Sequence, residues 1–452
     1  MLKQAAALYA VRSGNLGEDL MLPNNSETPS VGRYRWVVAF LLFLANAINY
    51  VDRSALSIVA PIVSKDLGFN PAQLGLVFSA FFVGYSIFCF IGGWASDRWG
   101  PRLVFAVAMT WWSLFCGFTA LATGFASLLL LRVLFGFGEG PMGSVTNKTI
   151  TNWFPRQEAG TVVGLTGAGN AIGGALSGPI VGLLAVSFGW RPAFWVIMTL
   201  GLVWLAFWML LATDRPSENR RVSAAERAYI DESRKAREIP ASAQGPAGSW
   251  LRSPVVLAIA LAFFSYNYVL YFFLTWLPSY LTDVYHLELK QMSLLTVIPW
   301  VCGAVGMFGG GLLSDLLFRL TGNSPLSRKV VLVGGLALAA LCVVLASQAA
   351  SITTAVTLIA CANLFLLMAP QNCWVLVQEM VPLNRVGMVG GFVQFLANTA
   401  GIFGPALTGF IVQYGGGYGA SFVLAGVLAV AGALAVLVVV PTRRASTLKL
   451  AQ

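Results

Sequence analysis

Apolar residues run along this chain in long blocks separated by short polar segments. Twelve blocks stand out, at about 36–62, 72–95, 103–123, 125–152, 160–183, 190–212, 254–280, 291–317, 328–348, 352–381, 386–412 and 418–441. Each holds the roughly 20 residues that a helix needs to cross a bilayer. Glycine and proline inside the blocks are compatible with helix, because packed neighbours satisfy the backbone groups they free. The pattern predicts an all-α membrane protein of twelve transmembrane helices. Composition agrees: 57% of the residues are hydrophobic, 10% are charged and the mean hydropathy is +0.76. A soluble domain carries roughly 25% charged residues. A soluble enzyme is therefore excluded, and so are disordered and fibrous chains.

The net charge of +10 does not point to nucleic acid, because the basic residues sit in short segments between apolar blocks. With the N-terminus placed inside, 22 of the 28 Lys and Arg fall on the inside, and only Lys65, Arg191 and Lys290 on the outside. That asymmetry predicts both termini in the cytoplasm. The first residues are mixed polar, and no cleavable leader is expected. The expected organisation is a cytoplasmic tail (1–35), a six-helix bundle (36–212), a cytoplasmic linker (213–253), a second six-helix bundle (254–441) and a short tail (442–452). Ser223 followed by Glu226 suggests a helical patch within an otherwise flexible linker. The six cysteines lie in apolar blocks without metal-ligand spacing, and the one histidine, His286, cannot build a metal site alone. No metal or cofactor is expected.

The halves repeat. Gly93-Trp-Ala-Ser-Asp97-Arg98-Trp-Gly100-Pro-Arg102 after the second helix returns weakly as Gly311-Leu-Leu-Ser-Asp315 after the eighth. Trp153-Phe-Pro155 matches Met380-Val-Pro382, and Gly178-Pro179 matches Gly404-Pro405. A duplicated core of this kind places a binding site between the halves near the membrane midplane.

The Gly93 to Arg102 segment resembles the signature loop of the major facilitator superfamily, with Pro101 where a basic residue is common. A narrower resemblance spans nearly the whole chain. Asn49-Tyr-Val-Asp52-Arg53-Ser, Phe78-Ser-Ala-Phe81…Gly84-Tyr85, Leu131-Arg132…Gly138-Glu139-Gly-Pro141, Asn152-Trp-Phe-Pro155 and Phe273-Leu-Thr-Trp276-Leu-Pro278 resemble the anion:cation symporter family. That resemblance implies a carrier of organic anions, among them sugar acids, with protons as coupling ion.

A charge at the bilayer centre costs several kcal/mol, so each one needs a partner or a task. The first helix carries Asp52 and Arg53, about 100° apart around its axis. The fourth carries Arg132 and Glu139, two turns apart and so on one face. Two neutral cross-pairs are expected, Asp52 with Arg132 and Arg53 with Glu139. In this reading Arg53 takes the substrate carboxylate once Glu139 is protonated, while Asp52 and Arg132 couple a second proton to gating. The resemblance implies the same roles, an arginine on the first helix for the acid and carboxylates for protons.

Hydrogen-bonding partners for a hydroxylated acid are sought in Tyr50, Tyr85, Asn170, Asn267, Tyr271, Gln371, Trp374, Gln394 and Asn398. The resemblance places Arg53, Tyr85, Glu139, Asn170, Trp374 and Gln394 at lining positions. Gly93, Asp97, Arg98, Gly100, Arg102 and Asp315 are the expected cytoplasmic gate, with each aspartate either capping a helix start or pairing with arginine across the halves to hold the outward-open state. Lys148 is expected to snorkel or serve the gate, and Glu379 to join the cytoplasmic charge network. The leading expectation is proton-coupled uptake of a sugar acid, by a monomer in the bacterial inner membrane, with lipid and a small organic anion as its partners. Uptake of a tartrate-like or aromatic carboxylate, or proton-coupled antiport, stands as the alternative. No nucleotide-binding loop supports a pump. An enzyme lacks a Ser/His/Asp set or metal cluster, and a sensor lacks a signalling domain.

Overall fold

The computed structural model describes residues 32–235, 251–381 and 386–442. Most of the N-terminal tail, part of the linker and nearly all of the C-terminal tail therefore lie outside the described residues. Twelve helical segments are long and apolar enough to cross a membrane, and no strand occurs among the described residues. The first half comprises α1 (Arg35–Leu67), α2 (Pro71–Trp99), α3 (Pro101–Phe118), α4 (Phe125–Glu139), α5 (Met142–Trp153), α6 (Arg156–Phe188) and α7 (Trp190–Leu211). The linker contributes α8 (Ala224–Lys235). The second half comprises α9 (Pro254–Tyr285), α10 (Leu289–Leu295), α11 (Val297–Thr321), α12 (Ser324–Ala346), α13 (Ile352–Leu366), α14 (Ala369–Met380), α15 (Val386–Tyr414) and α16 (Gly417–Val439).

Local chemistry sets the ends. Asn70 and Gln73 form a reciprocal capping box at the start of α2, with Pro71 at its first position. Gly68 closes α1 in the left-handed conformation, φ 69°. The fourth span, expected as one helix, is two: α4 ends at Glu139 and α5 begins at Met142. Pro141 lacks the N–H that would continue the ladder. Gly140 is held against α2, where a Cβ would come 2.7 Å from the Tyr85 carbonyl oxygen. The tenth span breaks likewise between α13 and α14.

Between helices in lipid, packing and interhelical hydrogen bonds replace the hydrophobic drive. The buried tryptophans of the first half show this. Trp112 donates to Asp52, Trp153 to the Thr213 carbonyl, Trp204 to that of Leu41 and Trp208 to that of Arg102. No indole N–H among these four is left unpaired.

The linker departs from the flexible segment expected. Ser223 Oγ accepts from Glu226 N at 3.2 Å, as the capping pattern suggests. The Glu226 carboxylate, though, faces α1 and is 1% exposed. It accepts from the backbone N–H groups of Tyr34 and Arg35 at 3.1 and 3.0 Å, capping α1 from outside. Arg35 bridges it to Glu158 on α6, whose carboxylate also accepts from Tyr229. The start of the linker is thereby fixed to the first half.

The halves meet on the face away from the linker. Ala406 N donates to Ser79 Oγ at 2.9 Å, and Gly75 lies against the Pro405 to Gly409 backbone. Gly178 and Gly182 on α6 lie against Ser293 on α10. Towards the linker face, a Cβ on Gly309, Gly311 or Gly391 would meet nothing within 4 Å. The cleft between the halves thus opens on the linker side.

Candidate functional site

The intramembrane charges of α1 and α4 meet beside the close contact of α2 with α4, where Gly84 and Gly136 let the backbones approach. Arg53 donates to Glu139 Oε2 from Nη2 at 2.7 Å and from Nε at 3.0 Å. Arg53 is 8% exposed and Glu139 0%. Both bonds converge on one oxygen, and Oε1 has no hydrogen-bond partner. This is the pair expected from the spacing. Aromatic rings surround the guanidinium: its Cζ lies 5.3 Å from the centre of Tyr50, 5.0 Å from Phe81 and 4.9 Å from Tyr85.

The second expected pair does not form. Asp52, turned about 100° from Arg53, faces α3 and not α4. Its Oδ2 accepts from Trp112 Nε1 at 3.1 Å, and Oδ1 has no partner. Arg132 is 4% exposed and, among the described residues, lies within 4 Å of no carboxylate. Its Cζ sits 5.1 Å from the centre of Phe81 and 4.9 Å from that of Phe135. Helical spacing fixed the common face of Arg132 and Glu139. It carried no information about which ring or indole each neighbour would present.

Across the cleft, Tyr271 OH donates to Asn398 Oδ1 at 2.9 Å, and the Tyr271 ring packs 4.4 Å from Phe82 on α2. Tyr50 meets Trp300 of α11 edge-on at 5.7 Å. Four amide atoms hidden around the cleft have no hydrogen-bond partner: Asn49 Nδ2, Asn170 Oδ1, Asn267 Nδ2 and Gln371 Oε1. Trp374 is half-buried and packs edge-on to Phe263 at 5.9 Å. Gln394 is half-buried one turn before Asn398. Several of these polar groups are thus unengaged.

The gate aspartates pair within their own halves in this state. Asp97 accepts from Lys148 at 2.5 Å within the first half, and Asp315 from Arg328 at 2.8 Å within the second. Neither caps a helix or crosses the cleft. With the halves apart on the linker side, each aspartate takes the cation its own half offers. Arg102 reaches the end of α7, donating to the Met209 carbonyl at 2.6 Å, as Lys329 does to the Val440 carbonyl at 2.6 Å in the second half. The start of α3 is capped by Asp214, which accepts from Arg102 N at 2.8 Å. Gly100 stands between them with φ +83°, and a Cβ there would lie 2.6 Å from the Asp214 Cγ. Gly93 faces Ser144 with room to spare, and Arg98 is exposed. Glu379 accepts from Ser324 Oγ at the start of α12.

Sequence reasoning assigned no role to Phe81, Phe135, Trp112 or Asp214. Phe81 lies one helical turn before Tyr85, a spacing that marks it as a companion on the same face.

Twelve spans in two pseudo-equivalent halves, joined at one face and parted at the other around buried charge, define a membrane transporter. The family model described as Major Facilitator Superfamily matches residues 42–405 and 326–452. The chain belongs to that superfamily. It is a multi-pass membrane protein and not an enzyme. It is 48% identical over 402 residues to the hexuronate transporter of Bacillus subtilis (strain 168), covering 88% of this chain and 93% of that one. It is 33% identical over 407 residues to the "Probable L-galactonate transporter" of Escherichia coli (strain K12), covering 90% and 89%. The crystal structure of a D-xylose-proton symporter superposes with a TM-score of 0.73 at 16% identity, over 91% of this chain and 99% of that one. That likeness concerns the fold alone.

Proposed function

We propose that the chain is a secondary active transporter that carries a small organic anion inward with protons by alternating access. The anion is a sugar acid of the hexuronate, aldonate or aldarate class. The observation that carries this reading is the Arg53–Glu139 pair, in which both Arg53 bonds end on a carboxylate with no exposed surface. Removing one partner of such a pair costs roughly 3–5 kcal/mol, because the other charge is left buried alone. A proton on Glu139 and a substrate carboxylate on Arg53 remove that penalty together. Each ligand then favours the arrangement that admits the other.

Asp52 takes the second proton through its free Oδ1, while Arg132 rests on the rings of Phe81 and Phe135. Tyr50, Tyr85, Asn170, Asn267, Tyr271, Gln371, Trp374, Gln394 and Asn398 receive the hydroxylated chain. The unpaired amides favour such a substrate over an aromatic acid. The relatives named for hexuronate and galactonate support the same class. The gate residues from Gly93 to Arg102, with Asp315, exchange the partners seen here for partners across the cleft when the linker side closes. The excess of basic residues on that side supports its facing the cytoplasm; the protein acts as a monomer in a bacterial inner membrane.

The test is uptake into proteoliposomes under an imposed inside-alkaline pH gradient, with hexuronates, aldonates, aldarates and aromatic acids compared. Accumulation of a sugar acid that a protonophore abolishes is the expected result. Accumulation insensitive to the protonophore, or confined to aromatic acids, contradicts the proposal.

A further inference from the structure

Phe81 touches both intramembrane arginines. Its ring centre lies 5.0 Å from the Cζ of Arg53 and 5.1 Å from that of Arg132. The ring is fully buried and wedged among Phe82, Tyr85 and Phe135, at 4.9, 5.6 and 5.4 Å between centres. An aromatic face attracts a cation through its quadrupole, and more strongly when the site is dry. It attracts an ion pair less, because the carboxylate opposes the field of the guanidinium. The ring therefore favours Arg53 without Glu139 over Arg53 bound to it.

From this geometry we infer that Phe81 is a positioning residue: it holds the Arg53 guanidinium in place during the interval when Glu139 is protonated and no ligand carboxylate has yet arrived. The inference rests on the proposed function above. Tyr50 and Tyr85 complete the cradle but carry hydroxyls that a ligand can engage. Phe81 carries none, so its contribution is the ring face alone. Because Arg132 shares that ring, a guanidinium drawn towards a ligand leaves the face to Arg132, and the two arginines sense each other without touching. Other titratable or charged groups facing this cluster are Asp52 and Tyr50 on α1, Cys89 and Tyr85 on α2, Cys116 on α3, Glu139 on α4 and Tyr271 on α9.

The sign follows. Weakening the ring removes support from the state in which Glu139 is protonated, so more acid is needed to reach it. At acid pH the ligand-free protein loses this support while the liganded one, again an ion pair, does not, so substrate affinity should rise at acid pH and stay near wild type at alkaline pH, where Arg53 is paired before and after binding. A role in packing alone would lower affinity equally at every pH.

The experiment compares Phe81→Leu, Phe81→Trp and the wild-type protein, purified intact, by titration with the sugar acid found in the uptake screen, from acid to alkaline pH. Phe81→Leu should gain about three- to thirtyfold in affinity at the acid end, the range that one cation–π contact supplies. It should approach wild type at the alkaline end, and its uptake profile should move to lower pH. Phe81→Trp should stay near wild type. If Phe81→Leu does not fold, pentafluorophenylalanine at position 81 keeps the shape and inverts the quadrupole, and it should show the same gain confined to acid pH. A pH-independent loss in either variant, or wild-type behaviour of the fluorinated protein, overturns the inference. Failure of the parent reading shows separately, as proton-driven accumulation that survives Glu139→Gln, and that result removes both.

Discussion

Replacing Arg53 by alanine removes both hydrogen bonds to Glu139 and the charge that three aromatic rings surround. A hydrogen bond to a charged group contributes about 1.5–3 kcal/mol. Two such bonds to a substrate carboxylate would contribute about 3–6 kcal/mol, a loss of roughly a hundred- to ten-thousandfold in affinity. Arg53→Lys keeps the charge but offers a point donor in place of the planar fork. It should lose about ten- to a hundredfold, between the two extremes. Isothermal titration with a hexuronate or galactonate reads both variants, and the neutral parent sugar serves as the control that lacks the carboxylate. Binding of the acid by Arg53→Ala within about threefold of wild type would refute the assignment, and so would equal losses for the acid and the neutral sugar.

Three further outcomes follow from particular contacts. Trp112→Phe keeps an aromatic ring, though a smaller one, and removes the donor to Asp52; it should cost about 1–3 kcal/mol for the buried acceptor alone, and a lowered melting temperature with slowed uptake checks it. Gly100→Ala sets a side chain at φ +83° against Asp214 and should destabilise by about 1–2 kcal/mol or more, read as a lower melting temperature with substrate affinity retained. Tyr271→Phe frees Asn398 and should weaken hydroxylated acids by about 1 kcal/mol, roughly fivefold, while leaving an aromatic acid unaffected in a competition assay.

Much of the fold was legible because bilayer thickness sets the length of each apolar block, and because duplicated motifs recur at nearly constant separation. The break after Glu139 was less so. Gly140-Pro141 stood in plain sight, yet proline is tolerated in other spans here, such as at Pro61 and Pro405. Contact with α2 made the difference. In the charged cluster, spacing on a single helix was informative: Arg132 and Glu139 share a face, and Glu139 meets Arg53. Pairing between helices depends on their rotation and depth, which periodicity does not record. Asp52 therefore went to an indole on α3, and Arg132 to two phenylalanines. The gate aspartates depend in addition on which side of the cleft is open, a property of the state and not of the motif.

The exchange of Glu139 for a substrate carboxylate on Arg53 is tested most directly by Glu139→Gln in proteoliposomes, with counterflow and pH-gradient-driven accumulation measured on the same preparation. Counterflow should persist, because Arg53 is free to bind the acid, and accumulation against a gradient should be lost. A variant that still accumulates substrate when the gradient is imposed, or that loses counterflow while folded, would contradict the account.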